Sequence, residues 1–555
     1  MSQAILGRVF HASSPQAGKW AYLIKKISVQ CLIISMAGLF QVPAIAETVA
    51  KYGISMADIP LTTGQPDKGA GAYQFTGHTI YDPLIAWEAN ISNRPGKLVP
   101  GLATSWKVDP SDKNKWIFTL RKGVYFHDGS TFNAEAVVWN LDKVLNDKSP
   151  QYDPKQAAQV KPRIPSIASY KAIDDYTVQI MTKSEDALFP YQLPWFLISS
   201  PTQFAKLGSD WAKFAFDPSG TGPFKLDKLV PRERAELVKN NAYWDKNRLA
   251  KTDRIILIPI PDPLTRVNAL MTGQVDMIET PPPDAVGKLQ SGGYKLVQNV
   301  TPHVWPYHFS TYPGSPWADI RVRKAANLAI DRNAVVKLMN GLASPALGQV
   351  DKTSPWFGNP SFKLKYDLAA AKALMAQAGY SKAKPLTAKV IIAQGGTGQM
   401  LSLPMNEFMQ QSLAEIGINV EFEVVELENL YLHWRAGAKA PMNADKGITA
   451  INLGYVTADP FYAITRFTDS KYIAPNGVNW GGYVNPKVDA DIAKIRATYD
   501  TKAQDALLAK VHQAMVDDAL MIWVVHDTNP HVLAPKIKAY TQAQHWFQDL
   551  TTLKM

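Results

Sequence analysis

Residues 388–427 constrain the fold more than any other stretch of the chain. Positions 388–393 read as a strand, 402–416 as a helix and 418–427 as a second strand. Gly417 sits where a left-handed helix C-cap belongs. Strands separated by a helix of this length cannot form a hairpin; they pair in parallel with the helix as crossover. The chain therefore carries α/β layering.

Its 555 residues exceed what one core supports, which predicts two or three domains. Other segments agree with a mixed architecture. Trp116, Phe118 and Leu120 alternate on one face of a half-buried strand, and a turn at His127-Asp128-Gly129 follows. Asn133 is placed as an N-cap, ahead of a stripe formed by Val137, Val138, Leu141, Val144 and Leu145. Positions 255–258 form a short, continuously apolar strand. Helices are predicted at 367–378 (ended by Gly379), 486–498 and 502–518, with a strand at 521–525. No internal repeat and no low-complexity tract is found.

The N-terminus carries an export address. Lys25-Lys26 precede an apolar stretch at 27–40, and Ala44-Ile45-Ala46 supplies small residues at −3 and −1. This largely apolar stretch of 14 residues falls short of the roughly 20 that a spanning helix needs. The expectation is a cleavable signal peptide at 1–46 and a periplasmic mature chain starting at Glu47. The lone Cys31 lies inside that leader, so the mature protein has no disulfide scaffold and no cysteine-based zinc site.

Composition narrows the function. Lys and Arg total 59 against 48 Asp and Glu, a net charge of +11, but no basic run exceeds two residues; nucleic acid is not an expected partner. Aromatics at 10% and 39 prolines fit rigid, ring-bearing loops around a binding cleft. Enzyme signatures are absent: neither a G-x-S-x-G elbow nor an H-E-x-x-H helix occurs. Ser219-Gly220-Thr221-Gly222-Pro223 lacks the lysine of a phosphate cradle, and Pro223 has no amide hydrogen, so a structural turn is expected. The pairs His526/His531 and His303/His308 are spaced wrongly for one helical face, so no metal and no cofactor is expected. A secreted hydrolase acting on a small peptide or glycoside stays as the alternative reading.

An ordered series of local motifs then resembles the bacterial extracellular solute-binding proteins of family 5. It starts with Tyr81-Asp82-Pro83-Leu84-Ile85 and Leu98-Val99-Pro100-Gly101-Leu102, followed by the most specific piece, Trp116-Ile117-Phe118-Thr119-Leu120-Arg121 through Phe126-His127-Asp128-Gly129. Phe132-Asn133-Ala134-Glu135, Gly220-Thr221-Gly222-Pro223-Phe224, Asn241-Ala242-Tyr243-Trp244 and Gly273-Gln274-Val275-Asp276 continue it. Asp319-Ile320-Arg321-Val322-Arg323 and the stretch from Gly477-Val478-Asn479-Trp480 to Asp489 complete it. The resemblance implies a type II periplasmic binding protein fold: α/β, two lobes joined by a hinge, with an extra α/β domain on lobe one. It places lobe one at 47–80, 219–304 and 522–555, the extra domain at 81–218 and lobe two at 305–521. It implies a monomeric, non-enzymatic receptor that closes over a small-molecule solute and hands it to the permease subunits of an ABC importer.

The same resemblance points to ligand contacts at Tyr73, Trp305, Tyr307, His308, Tyr455, Asp459, Asn479 and Trp480. In peptide-binding relatives a segment W-x-x-D-x-x-D-P holds the ligand's α-ammonium on its first aspartate. Here Val456 stands at that position and Leu453 at the tryptophan. A buried ammonium without a carboxylate loses much of its binding energy. The implied ligand is therefore not a peptide held by a free amino group in the way those relatives hold it, and Asp459 is either a turn cap or a ligand contact.

Overall fold

The computed structural model describes residues 46–396 and 398–555, so the expected leader lies outside the described residues except for Ala46. Thr48–Met555 forms one compact unit built on two large sheets. The first orders its seven strands Lys295–Val297, His531–Leu533, Met277–Glu279, Val49–Ile54, Arg254–Pro259, Arg234–Lys239 and Phe224–Val230. The second runs Ala343–Pro345, Met521–Asp527, His303–Phe309, Ile448–Asn452, Leu386–Ala393 and Ile418–Val425, with Tyr455–Val456 added beside His303–Phe309. A smaller four-stranded sheet lies within 103–182 and packs against the helix Ala134–Leu145.

Local chemistry explains these elements. Leu386–Ala393 and Ile418–Val425 pair in parallel over eight positions, joined by the helix Ser402–Ala414, and Gly417 takes φ 82°. Asn133 caps its helix: the Ala136 N–H donates to Asn133 Oδ1 at 3.0 Å. Trp116, Phe118 and Leu120 are buried along Lys115–Leu120 while their neighbours stay partly exposed.

The chain passes between the two large sheets at 298–302 and again at 528–530. The two passages bond to each other: Thr301 Oγ1 donates to the Asp527 carbonyl at 2.7 Å, Asn299 N to the Thr528 carbonyl at 3.0 Å, and Thr528 Oγ1 to Gln298 Oε1 at 2.9 Å. Paired short linkers of this kind concentrate rotation into a few residues, which is the geometry of a hinge. The second passage corrects the sequence expectation, which ended lobe two at 521. Met521–Asp527 is buried at every position and pairs antiparallel with His303–Phe309, so it belongs to the second sheet. The first passage likewise precedes His303 rather than following Val304.

Candidate functional site

A cavity of about 340 Å³ opens between the two sheets beside the hinge, within the size range of small-molecule sites. One wall comes from the loop holding Lys68, Gly69 and Gly71, with Gln159 and Arg163 beside it. The opposite wall comes from the helix Leu427–Ala436. Glu428, Tyr431, Leu432 and Arg435 recur at i, i+3, i+4 and i+7, so one helical face presents all four to the cavity. Leu453, Gly454, Tyr455 and Val456 form the floor, with His303 and Trp546 at the hinge. These last two rings stack at 4.3 Å and 18°. His303 Nδ1 lies 3.9 Å from Asp527 Oδ2, yet burial lowers the imidazole to about 3, so it stays neutral and the contact is not an ion pair.

After the floor strand the chain turns into a π-helical turn, Phe461–Thr465, continued by Arg466–Thr468. Asp459 starts this turn: the Tyr462 N–H donates to its Oδ1 at 2.7 Å and the Ala463 N–H to its carbonyl at 2.8 Å. Burial raises the Asp459 carboxyl to about 6. The turn brings Tyr462 and Arg466 into the cavity wall. Arg466 is 5% exposed and its guanidinium packs on Tyr462 (4.2 Å), Phe467 (4.5 Å), Tyr455 (5.1 Å) and Trp434 (5.5 Å).

Of the residues expected to touch a solute, Tyr455 lines the cavity, its hydroxyl bonded to Gln349 at 2.8 Å. His308 and Tyr73 stand one layer behind. His308 packs edge-on against Tyr455 at 5.2 Å and Phe467 at 5.3 Å, and burial lowers it to about 3. Tyr73 carries the Arg163 guanidinium 5.3 Å above its ring, and burial lifts its hydroxyl to about 12. Asp459 is the turn cap just described. The remaining four are absent from the cavity wall, for packing reasons. Trp305 and Tyr307 sit in the core of the second lobe, with the Tyr307 hydroxyl donating to Asn406. Asn479 clamps the Tyr483 backbone through both amide atoms, at 2.7 and 2.9 Å, and Trp480 Nε1 donates to the His433 carbonyl at 3.1 Å. Val456 is 4% exposed and lines the cavity, so an apolar side chain occupies the place where the resemblance puts an ammonium-binding aspartate.

The lobes meet across this cleft. Trp195 stacks on Tyr462 at 4.7 Å and 21°; Arg496 Nη1 lies 3.1 Å from Asp186 Oδ1, and the Ala187 N–H donates to the Arg496 carbonyl at 2.7 Å. Among the described residues no group of three or more His, Cys, Asp or Glu side chains is arranged to hold a metal ion, and no helix is long and apolar enough to cross a membrane.

The sequence between residues 97 and 474 matches the family model for bacterial extracellular solute-binding proteins, family 5 Middle. The chain belongs to that family. It is similar to the glutathione-binding protein GsiB of Pectobacterium atrosepticum, at 28% identity over 469 residues, covering 81% of this chain and 84% of the relative. It is also similar to the periplasmic oligopeptide-binding protein OppA of Escherichia coli, at 25% identity, covering 81% and 83%. Among solved structures, the periplasmic binding protein DppA of Helicobacter pylori in complex with the peptide STSA superposes with a TM-score of 0.75 at 25% identity, over 91% of this chain and 98% of that one. The family 5 chain described here thus has the type II periplasmic binding protein fold, and it is a substrate-binding receptor of the kind that serves ABC importers. Its family is one of binding proteins rather than enzymes.

Proposed function

We propose that this protein is exported by its leader, binds one small solute in the cavity between the lobes as a monomer, and delivers it to the permease subunits of an ABC importer without altering it. The observation that carries this reading is the hinge-side cavity lined by both lobes, which touch each other through Trp195–Tyr462 and Arg496–Asp186. A solute so enclosed trades water for aromatic faces and a few fixed polar groups, and micromolar affinity needs only about 8 kcal/mol. Tyr455 is joined in the proposed contact set by Arg163, Tyr431, Arg435, Tyr462 and Arg466. The relatives bind glutathione and peptides, so a peptide-like or conjugated solute is the class to try first. Val456 argues that it is not anchored by a free α-ammonium on this floor.

Native mass spectrometry of the protein incubated with a pool of small peptides, conjugated amino acids and glycosides tests this. The expected result is a saturable one-to-one adduct that denaturation releases at unchanged mass. Release of a hydrolysed product would establish the hydrolase instead, and no adduct from any pool would count against capture in this cleft.

A further inference from the structure

Buried arginines in this fold are normally saturated. Arg266 donates to the carbonyls of Ile260, Pro261, Glu279 and Thr280. Arg332 reaches the carbonyls of Trp523 and Asn327 and also Asn327 Oδ1, and Arg323 those of Trp317, Ala318 and Asp518. The half-buried Arg248 pairs with Asp549 at 2.8 Å. Arg466 is as buried as the first three and has neither solution. Its Nε donates to the Tyr462 carbonyl at 3.0 Å, while Nη2 has no partner.

Two further guanidiniums share the wall. Arg163 leans on Tyr73 and Trp195, and its Nε is also unpartnered. Arg435 stands 5.9 Å over Tyr431. Among the described residues no carboxylate lies within ion-pair distance of Arg163, Arg435 or Arg466. With Lys68, the cavity wall holds four cations against the single carboxylate of Glu428. Asp459 lies nearby, but its Oδ1 is committed to the Tyr462 amide. Its Oδ2 has no hydrogen-bond partner, and although the carboxyl, raised by burial to about 6, is charged at neutral pH, it makes no ion pair with Arg466.

An unpaired guanidinium buried among rings is expensive, and two like charges beside it add repulsion. A carboxylate accepts two parallel N–H bonds from such a fork. Resting on the receptor reading above, we infer that the solute is an anion whose carboxylate seats on Arg466 and faces Arg163 and Arg435. The aromatic cage fixes the guanidinium for that bond; it does not hold the fold together.

Two measurements test the assignment. The first needs no ligand: the melting temperatures of unliganded Arg466→Met and wild type. The inference expects the variant to melt at or above wild type, because a charge without a partner has been removed. A clear fall would mark Arg466 as structural and overturn it. The second is calorimetric titration of wild type, Arg466→Met and Arg466→Lys with the solute recovered by mass spectrometry, with N-acetylated di- and tripeptides and their matched C-terminal amides, with glutarate and with inorganic phosphate. The acid is expected to bind wild type about 100-fold more tightly than its amide. Arg466→Met should lose the same factor, and Arg466→Lys should recover part of it through charge alone. A neutral recovered solute, equal binding of acid and amide, an unaffected Arg466→Met, or binding of phosphate but of no carboxylate would each overturn the assignment. Failure of every solute to bind would instead strike the receptor reading.

Discussion

Between pH 7.5 and pH 5 the ligand-free protein is expected to lose most of its stability, with a melting temperature roughly 10 °C lower. The cause is a set of buried histidines. His78, His303, His308, His531 and His545 are all lowered to about 3, first by burial. Their rings are held among aromatic neighbours: His303 on Trp546, His308 on Tyr455, and His545 at 5.0 Å from Trp87. The unfolded chain takes up these protons below about pH 6.5, whereas the folded chain refuses them until about pH 3. Stability is therefore fully present above pH 6.5 and falls as the pH drops from there. Each histidine contributes about 2 kcal/mol of that loss by pH 5. Asp459 and Asp527, raised to about 6 by burial, act the other way. They favour the folded state as pH falls toward 5, as do Asp82, Glu279 and Asp505, which burial also raises. These carboxyls offset only part of the imidazole side, to which His127, His512 and His526, also lowered by burial, add. Scanning calorimetry at pH 7.5, 6 and 5 checks this. A melting temperature unchanged across the series would contradict the burial of these rings.

The second large effect lies outside the cavity lining, at Asp82. This carboxylate is 3% exposed and accepts three side-chain bonds: from Tyr243 Oη at 2.9 Å, Trp244 Nε1 at 2.8 Å and Thr221 Oγ1 at 2.9 Å. Three of the sequence motifs thereby meet at one residue: Tyr81-Asp82-Pro83, the turn Gly220-Thr221-Gly222, and Tyr243-Trp244. The turn's glycines are steric requirements, since a Cβ at Gly220 or Gly222 would run into the backbone of Ile80. Replacing Asp82 with alanine leaves three buried donors without an acceptor, which costs about 3–5 kcal/mol. Asp82→Asn keeps the volume and one acceptor oxygen, so it should cost less. Urea denaturation of both variants reads the difference. A loss under about 1 kcal/mol for Asp82→Ala would show that the hub is not what joins these segments.

Much of the architecture was legible because it rests on local chemistry. The parallel pair around 388–425, the Asn133 cap, the buried face of Trp116, Phe118 and Leu120 and the turn at 219–223 each follow from spacing or turn residues within one segment. The second hinge passage was misplaced because an apolar run such as Met521–Val525 announces a strand without saying which sheet receives it. The cleft was the least legible part. Trp305, Tyr307, Asn479 and Trp480 carry ring and amide chemistry suited to a ligand, yet they pack within their own lobe. The residue types alone do not reveal whether a partner is a solute, a near neighbour such as Tyr483 or a distant one such as Asn406. Arg163, Arg435 and Arg466 were passed over, although two signals were present. Arg466 is a lone cation inside the largely apolar run Phe461 to Phe467, and Glu428, Tyr431, Leu432 and Arg435 fall on one helical face. Only the fold shows that these two stretches face Arg163 across a common cavity.

Closure over a solute is the central claim, and small-angle X-ray scattering with and without a saturating solute tests it most directly. The structure has its lobes in contact through Trp195–Tyr462 and Arg496–Asp186, and we take it as the closed form. The account predicts that the solute-free protein scatters with a larger radius of gyration, and that adding the solute identified by mass spectrometry shrinks it to the curve calculated from this structure. An identical radius of gyration before and after saturation, with binding confirmed in the same sample, would contradict it.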